Sequence, residues 1–381
     1  MVQPNLHFSR EEYAQRLAQA RRLLVERRLD ALLLFAQESH YYLTGFDTNG
    51  YVFFQCAVLT AGDDVITLLT RRPDVEQARR TSIIEDMRVW YDAEGANPAH
   101  DLKAILTEKG LQGGRLGIEL ATYGLTAANY VRVKDGLDGW CQLVDASDLV
   151  RSLCMVKSPA ALADEALSAM RAAARPGAFE GDIMAAGQAV IFRGGGDVPA
   201  SGPVLGSGDR ALLVRNATGS RYLDAPDQLT IEFAAVYRRY HACLMQTLPI
   251  GEDQLQQRRM YDVTREALHA MTEAATPGRP LGAIDEAHRR VYDAAGFGHA
   301  RMAACGYALG ATYRPNWIDV PPMLYAGNAM PARPGMVLFL HAILVDAPAN
   351  LAMSLGHTVV ITDTGREVLT RHPLDYHVCK R

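Results

Sequence analysis

The sequence predicts an α+β fold of two domains, in which the second domain repeats a helix–helix–strand–strand unit. The chain has 381 residues, 49% of them hydrophobic, which is enough for two domains and a large buried core. Helices and strands alternate up to about residue 150, whereas beyond it paired helices are followed by paired strands. This change favours an α/β domain at 1–150, a linker at 151–158 and a larger domain at 159–381.

In the first domain, capping and hydrophobic patterns give the order of the elements. Ser9 followed by Glu12 is a capping box that begins a helix over 10–28. The elements expected after it are strands at 30–36, 52–60 and 65–70, a helix at 74–81, a strand at 87–91, a helix at 99–109 and a strand at 116–119. Together they indicate a mixed sheet with helices packed against it.

The second domain is predicted from two similar series of elements. The first series has helices at 159–174 and 179–193 and strands at 203–206, 211–216, 228–236 and 240–249. The second series has helices at 253–275 and 282–295 and strands at 302–309, 336–345 and 353–362. The similarity indicates that one structural unit is used twice.

The composition favours a small-molecule partner over nucleic acids and membranes. The formal net charge is -4, and like charges do not cluster. The chain begins without a signal-peptide pattern, and no apolar run approaches the roughly 18 residues of a membrane span. The six cysteines are scattered without C-x-x-C spacing, which favours reduced thiols. We therefore expect a cytoplasmic protein.

Glu232 is the principal candidate for a catalytic residue, because it is the one acid in an otherwise apolar strand of a predicted hairpin. A turn at 236–239 would pair Glu232 with Cys243 and Ala234 with His241, so that all four share one face of the sheet. Burying an ionised carboxylate costs several kcal/mol unless it is paired or hydrogen-bonded. A chemical role explains that cost. The alternative is that Glu232 faces solvent on an edge strand, with His241 and Cys243 as core residues.

Several further segments carry a resemblance to a known superfamily. They are 30–34, 41–46, 306–310, 334–337 and 360–365. With the hairpin, they resemble the pita-bread superfamily of methionine aminopeptidase, prolidase, aminopeptidase P and creatinase. The resemblance implies a pita-bread C-terminal domain with a curved sheet, a creatinase-type N-terminal domain, and a homodimer.

The resemblance also identifies where metallopeptidases of this superfamily hold two metal ions with two Asp, one His and two Glu. These positions fall on Glu232, Cys243, Tyr307, His341 and Gly356. Two divalent cations require several carboxylates to offset their charge, and only Glu232 supplies one. We therefore expect no metal and no other cofactor.

Metal-independent members, above all ectoine hydrolase-like ones, resemble the chain more closely at 232–243, 306–307 and 313–317. This resemblance implies that Glu232 attacks the amidine carbon of a cyclic substrate to form a covalent intermediate. Tyr240, His241 and Tyr307 would then be the hydrogen-bonding and proton-transfer groups. The expected activity is hydrolysis of a non-peptide C–N bond, of amidine or cyclic amide type.

Arg215 is a candidate for binding a substrate carboxylate. It follows the apolar residues 212–214, where the superfamily has a substrate-contacting His, and a guanidinium suits bidentate capture of a carboxylate. If this role is correct, the substrate is a small acid. The alternative is an ion pair with Asp209 or Asp227.

Other substrate-binding candidates come from loops and neighbouring strands. Tyr313 and Trp317 would stack on a planar or cationic ring, and Cys243 would line the same pocket. His341 and His357, on adjacent strands, would contact substrate, or would bind one metal ion together with Glu232. For the first domain, the resemblance implies that His40 and Tyr41 reach toward the pocket of a neighbouring subunit.

Three alternatives to the hydrolase remain open from the sequence. One is an Xaa-Pro-type metallo-dipeptidase with unorthodox ligands from Glu232, His341, His357 and Cys243. Another is a relative that binds a small molecule without converting it, and a more distant one is a lyase acting on a small zwitterion.

Overall fold

The computed structural model describes residues 3–62, 65–151, 153, 160–215 and 219–380, with the backbone alone at 319–321. The chain divides into two units, Met1–Cys154 and Met155–Arg381. Most of the linker predicted at 151–158 lies outside the described residues. Within those residues, no helix has the length and apolar character needed to span a bilayer.

The first unit is built on a six-stranded sheet with the order β4-β3-β2-β1-β5-β6. Its strands are β1 (Ala31–Leu34), β2 (Cys56–Thr60), β3 (Thr67–Arg71), β4 (Asp86–Trp90), β5 (Arg115–Ile118) and β6 (Gln142–Asp145). Its helices are α1 (Arg10–Glu26), α2 (Gln37–Thr44), α3 (Arg72–Thr81), α4 (Pro98–Glu108), α5 (Ala127–Leu137) and α6 (Asp148–Arg151). Because β1 and β2 are antiparallel whereas β1 and β5 are parallel, the predicted mixed sheet is confirmed.

Local signals explain both the agreements and the errors in this unit. Ser9 caps α1 by accepting a hydrogen bond from the Glu12 N–H at 3.2 Å. The strand predicted from residue 52 is wrong at its start, since Gly50–Val52 is a 3-10 turn and β2 begins at Cys56. Helix α2 was not predicted; it ends at Gly45, whose φ of +83° suits glycine.

The second unit is an antiparallel sheet with the order β11-β10-β12-β13-β9-β8-β7, and β14 pairs with β13. Its strands are β7 (Val204–Ser207), β8 (Asp227–Tyr237), β9 (Tyr240–Ile250), β10 (Ala304–Leu309), β11 (Asp319–Tyr325), β12 (Val337–Asp346), β13 (Leu351–Ile361) and β14 (Arg366–Val368). Its helices are α7 (Ala160–Ala173), α8 (Glu180–Arg193), α9 (Leu255–Ala274) and α10 (Gly282–Ala294). Two helices precede a long hairpin in each half, which confirms the predicted α+β fold with its duplicated unit.

The helices of this unit pack against one face of the sheet. Helices α7 and α8 cover β7, β8 and β9, and helices α9 and α10 cover β10 to β13. The opposite face carries a smaller apolar cluster that includes Cys243, Met245, Tyr307 and Phe339. The strand predicted at 211–216 is wrong, because Gly208–Leu212 is a 3-10 turn; β11 and β14 were not predicted.

The β8–β9 hairpin has a tighter turn than the sequence indicates. Arg238 and Arg239 alone form the turn, with φ of 50° and 66°, as in the two-residue turns whose twist matches a hairpin. Glu232 is therefore opposite Met245, and Ala234 is opposite Cys243. The predicted register is wrong by two residues. Because side chains alternate with period two, an even shift leaves the predicted faces unchanged.

Candidate active site

A cavity of about 540 Å³ opens on the helix-free face of the second sheet. Strands β7, β8, β10, β11 and β12 and the loops that precede β7, β8, β10 and β11 form its walls. The lining residues are Ser201, Gly202, Pro203, Val204, Val214, Arg215, Glu232, Met302, Ala303, Ala304, Tyr307, Asn316, Trp317, Ile318, Met323, His341 and Ile343. Such a concave, mostly apolar space with a few polar groups is typical of small-molecule sites.

Glu232 is the only carboxylate among the described lining residues. It lies in β8, between β7 and β9, so the edge-strand alternative is wrong. Burial raises the pKa of its carboxyl group to about 7, although the hydrogen bond from Tyr307 and the charge of Arg215 act in the opposite direction. Near neutral pH, both protonation states of Glu232 are therefore populated.

A chain of two hydrogen bonds fixes the carboxyl group of Glu232. The Trp317 Nε1–H donates to the Tyr307 hydroxyl oxygen at 2.8 Å, and the Tyr307 hydroxyl donates to Glu232 Oε1 at 3.0 Å. Burial and the neighbouring Glu232 raise the pKa of Tyr307 well above its ordinary value. Tyr307 thus stays protonated and acts as a hydrogen-bond donor to a carboxylate.

Cys243 lies beneath this group rather than in the cavity. It is fully buried with Ala234 and Tyr307 in the apolar cluster. Burial and the neighbouring Glu232 raise the pKa of its thiol well above the ordinary range, which makes it unreactive. Its predicted contact with substrate does not match this position.

His341 lines the cavity from β12, whereas His357 does not. The ring of His341 lies 5.7 Å from the ring of Tyr307, and burial lowers its pKa to about 4. Nδ1 of His341 has no hydrogen-bond partner among the described residues. His357 is paired with Leu340 on the helix-facing side, and its Nε2 contacts Thr272 Oγ1 at 2.9 Å. Adjacent strands therefore direct the two imidazoles to opposite faces of the sheet.

Arg215 lies exposed at the rim of the cavity, in a turn instead of the predicted strand. It lines the same cavity as Glu232, and its charge lowers the pKa of that carboxyl group. The alternative ion pairs are wrong. Asp209 accepts a hydrogen bond from Asn350 at 2.7 Å, and Asp227 pairs with Arg221.

Three of the predicted residues lie at the turn of the hairpin, away from the cavity. His241 accepts a hydrogen bond from the Ala200 N–H at 3.1 Å through Nε2 and contacts the Arg239 carbonyl at 2.9 Å through Nδ1. It is opposite Val236, four residues from Glu232 along β8. Tyr240 and Tyr313 are buried beside it. The catalytic positions expected for His241 and Tyr240, and the stacking position expected for Tyr313, are therefore corrected.

His40 and Tyr41 are core residues of the first unit. Both are fully buried. Nε2 of His40 is 2.9 Å from the Leu34 carbonyl, and the Tyr41 hydroxyl is 2.7 Å from Nδ1 of His7. Side chains buried in this way are not accessible to a neighbouring subunit, which corrects the position expected from the resemblance.

Two polar cavity residues, Ser201 and Asn316, were not predicted to line a site. Both lie in irregular loops, where side-chain periodicity gives no information about direction. Asn316 directly precedes Trp317 in the loop motif, and that adjacency was the available signal.

The residues present do not fit a pair of divalent cations. At Gly356, an added Cβ would lie 2.7 Å from the ring of Phe339, so this ring occupies the space of the corresponding acid. Tyr307 donates a hydrogen bond to Glu232, and Cys243 is buried below them. His357 faces the other side of the sheet, so the described residues do not bring together the unorthodox ligand set either.

The chain belongs to metallopeptidase family M24, whose model matches residues 155–363. The model of the Creatinase/Prolidase N-terminal domain matches residues 16–156. The predicted relationship to the pita-bread superfamily is thereby confirmed.

The names of individual relatives refer to different hydrolase activities. The chain is 27% identical to an ectoine hydrolase from Halomonas elongata, with 98% of each chain covered. It is 21% identical to an Xaa-Pro dipeptidase from Pyrococcus horikoshii, which covers 90% of this chain and 93% of the relative. Among solved structures, it is similar in fold to the dipeptidase PepE from Mycobacterium ulcerans, with a TM-score of 0.85, 22% identity and coverage of 98% and 100%.

The raised pKa of Glu232 predicts how Glu232→Gln changes the pH dependence of stability. The folded-state pKa of about 7 exceeds the ordinary 4.5, so the wild type loses stability as the pH rises from about 5 to about 8. The amide side chain of the variant does not ionise, so the variant does not lose stability in this way. Relative to the wild type, the variant should gain up to about 3 kcal/mol of unfolding free energy over that range, measured by urea denaturation. A constant difference between pH 5 and pH 8 would contradict the burial of this carboxyl group.

The contact between Gly356 and Phe339 predicts a coupled effect on stability. Gly356→Ala should lower the unfolding free energy by about 1–3 kcal/mol, because the new Cβ meets the Phe339 ring. In a Phe339→Leu background, the same substitution should cost at least about 1 kcal/mol less. Gly365→Ala is the control, since an added Cβ there meets nothing within 4 Å. Additive effects in the double variant would show that the ring does not fill this space.

Proposed function

We propose that the chain is a metal-independent hydrolase of a non-peptide C–N bond, of amidine or cyclic amide type, in a small carboxylated compound. The observation that carries the proposal is the single buried carboxyl group of the described cavity, Glu232, held by Tyr307 and Trp317. A carboxylate in such a site acts as a nucleophile on an electrophilic carbon.

Similarity to a known hydrolase supports the class of bond. The relative from Halomonas elongata is named as an ectoine hydrolase, and the similarity extends over 98% of both chains. Ectoine is a cyclic amidine that carries a carboxylate. The cavity offers a partner for each of these groups: the carboxyl group of Glu232 for the amidine, and the guanidinium of Arg215 for the carboxylate. An amidine carbon bonded to two nitrogens accepts a nucleophile, and a neighbouring C–N bond can then break.

The reaction follows from these groups in two stages. An ionised Glu232 oxygen adds to the amidine carbon, and one C–N bond breaks as its electron pair and a proton go to nitrogen. Water then adds to the same carbon, the bond to Glu232 breaks, and a ring-opened amide is released. His341 is neutral near pH 7 and lines the same cavity, so its imidazole is the base that we assign to the water.

Substrate binding would depend on the rim and the aromatic wall. Arg215 would hold the substrate carboxylate by a charge-assisted pair. In the free protein, the positive charge of Arg215 favours ionisation of Glu232. The negative charge of the bound substrate carboxylate would partly cancel that positive charge. Trp317 lines the cavity and would pack against the ring.

A dipeptidase that uses two metal ions is the competing function, and the named prolidase and dipeptidase relatives favour it. The donor set argues against it, because Glu232 is the sole described carboxylate in the cavity and Phe339 occupies the space beside Gly356. Brief dialysis against EDTA distinguishes the two. The proposed enzyme keeps its kcat within about twofold, whereas a dinuclear peptidase loses activity.

Turnover of ectoine and related cyclic amidine carboxylates tests the proposal. Glu232→Gln should lower kcat by a factor of about 10² to 10⁴, while the exposed control Glu252→Gln stays within about twofold of the wild type. Arg215→Ala should raise KM more than it lowers kcat, because the guanidinium binds substrate and transition state alike. Full turnover by Glu232→Gln would exclude the carboxylate as the reacting group.

A further inference from the structure

A second group of polar side chains lies on the helix-facing side of the same sheet. Asp285 and His288 are one turn apart on α10, and Cys305 lies on β10. All three are fully buried. One ligand atom from each lies within 4.8 Å of the other two, and Nδ1 of His288 is 3.8 Å from Asp285 Oδ1. We refer to these three residues as the α10 cluster.

Several buried polar atoms of the α10 cluster lack hydrogen-bond partners among the described residues. By distance and angle, both carboxyl oxygens of Asp285 and both ring nitrogens of His288 lack a hydrogen-bond partner among the described residues, although the Cys305 thiol lies close enough to Asp285 to affect its pKa. A buried polar atom without a hydrogen-bond partner destabilises the folded chain. Four such atoms in two neighbouring side chains therefore indicate that a ligand is bound between them.

The α10 cluster is separate from the cavity that contains Glu232. The pairing of β10 with β11 shifts register between Ala304 and Gly306. Cys305 packs with the helix-side core, whereas Ala304 and Tyr307 line the cavity on the other side. A ligand at the α10 cluster would therefore not be a metal ion of the family's peptidase site.

We propose that Asp285, His288 and Cys305 bind a Zn²⁺ ion. Imidazole, thiolate and carboxylate are all ligands that Zn²⁺ takes, and a thiolate disfavours Mg²⁺ and Ca²⁺. The charges of an ionised Asp285 and Cys305 balance that of the ion, so the complex is neutral, as burial requires.

The spacing of the cluster leaves room for this ion. Nitrogen and oxygen ligands of a tetrahedral Zn²⁺ lie roughly 3.3 Å apart, so the His288–Asp285 pair at 3.8 Å would close by about 0.5 Å on binding. A water molecule is the fourth ligand. The ion would connect α10 to β10 and so stabilise the strand that carries Tyr307.

Metal content of the purified full-length protein tests the site. We expect about one Zn²⁺ per chain by mass spectrometry, falling below about a tenth in Cys305→Ser and Asp285→Asn. Cys379→Ser, which also alters a buried cysteine, is the control and should keep its zinc. Because the first two variants would fail if they did not fold, Co²⁺ added to zinc-depleted wild type provides a second measurement. It should give a thiolate-to-cobalt charge-transfer band.

The outcomes also distinguish this site from the proposed function. Zinc retained in Glu232→Gln and lost in Cys305→Ser supports the α10 cluster. Zinc lost in Glu232→Gln but retained in Cys305→Ser would place the ion in the cavity and overturn both proposals. If neither Zn²⁺ nor Co²⁺ binds to the wild type at about 10 μM, only the α10 proposal is overturned. Loss of this zinc should lower Tm while leaving kcat of the folded enzyme within about twofold.

Discussion

The burial of one carboxyl group, that of Glu232, is the constraint on which the rest of the site depends. A carboxylate inside an apolar sheet is costly unless groups around it offset the charge. Tyr307 donates to it, Trp317 orients Tyr307, and Arg215 adds a positive charge at the rim. These contacts stop short of a full ion pair, so the pKa stays near 7 instead of falling below its ordinary value. Near neutral pH a fraction of this group is ionised in a dry site, and the ionised form is the one that the proposed mechanism uses.

The same fold carries metal sites in peptidases, and particular residues of this chain support the proposal that its cavity works without them. The ring of Phe339 fills the space beside Gly356. The phenol of Tyr307 donates a hydrogen bond at a position where a metal ligand would instead offer a lone pair. Each change removes negative charge or a ligand atom from the cavity. Under the proposed function, the remaining acid does not experience the strong ionising effect that a cation would have.

Period-two alternation allowed the sequence to place Glu232, Cys243 and Met245 on one face, and this held despite the error in register. The error arose because the sequence does not show that Arg238 and Arg239 adopt positive φ. That His357 faces away from His341 depends on the register of β12 with β13, in which His341 is opposite Gly356, and the sequence does not show this register. The positions of residues in loops are harder to predict from sequence. Arg215, for example, lies in a turn whose apolar residues resemble those of a strand. The α10 cluster required the tertiary structure, because a loop separates Cys305 from the helix and a register shift sets the direction of its side chain.

Direct titration of the Glu232 carboxyl group tests the central claim most closely. The Cδ resonance in protein labelled with [13C]glutamate, assigned by its absence from Glu232→Gln, reports the protonation state without any substrate. The account predicts a midpoint near pH 7, as burial dictates, and a higher midpoint in Tyr307→Phe, where the hydrogen bond that favours the ionised form is lost. A midpoint near the ordinary value of 4.5 in the wild type, unchanged in Tyr307→Phe, would contradict it.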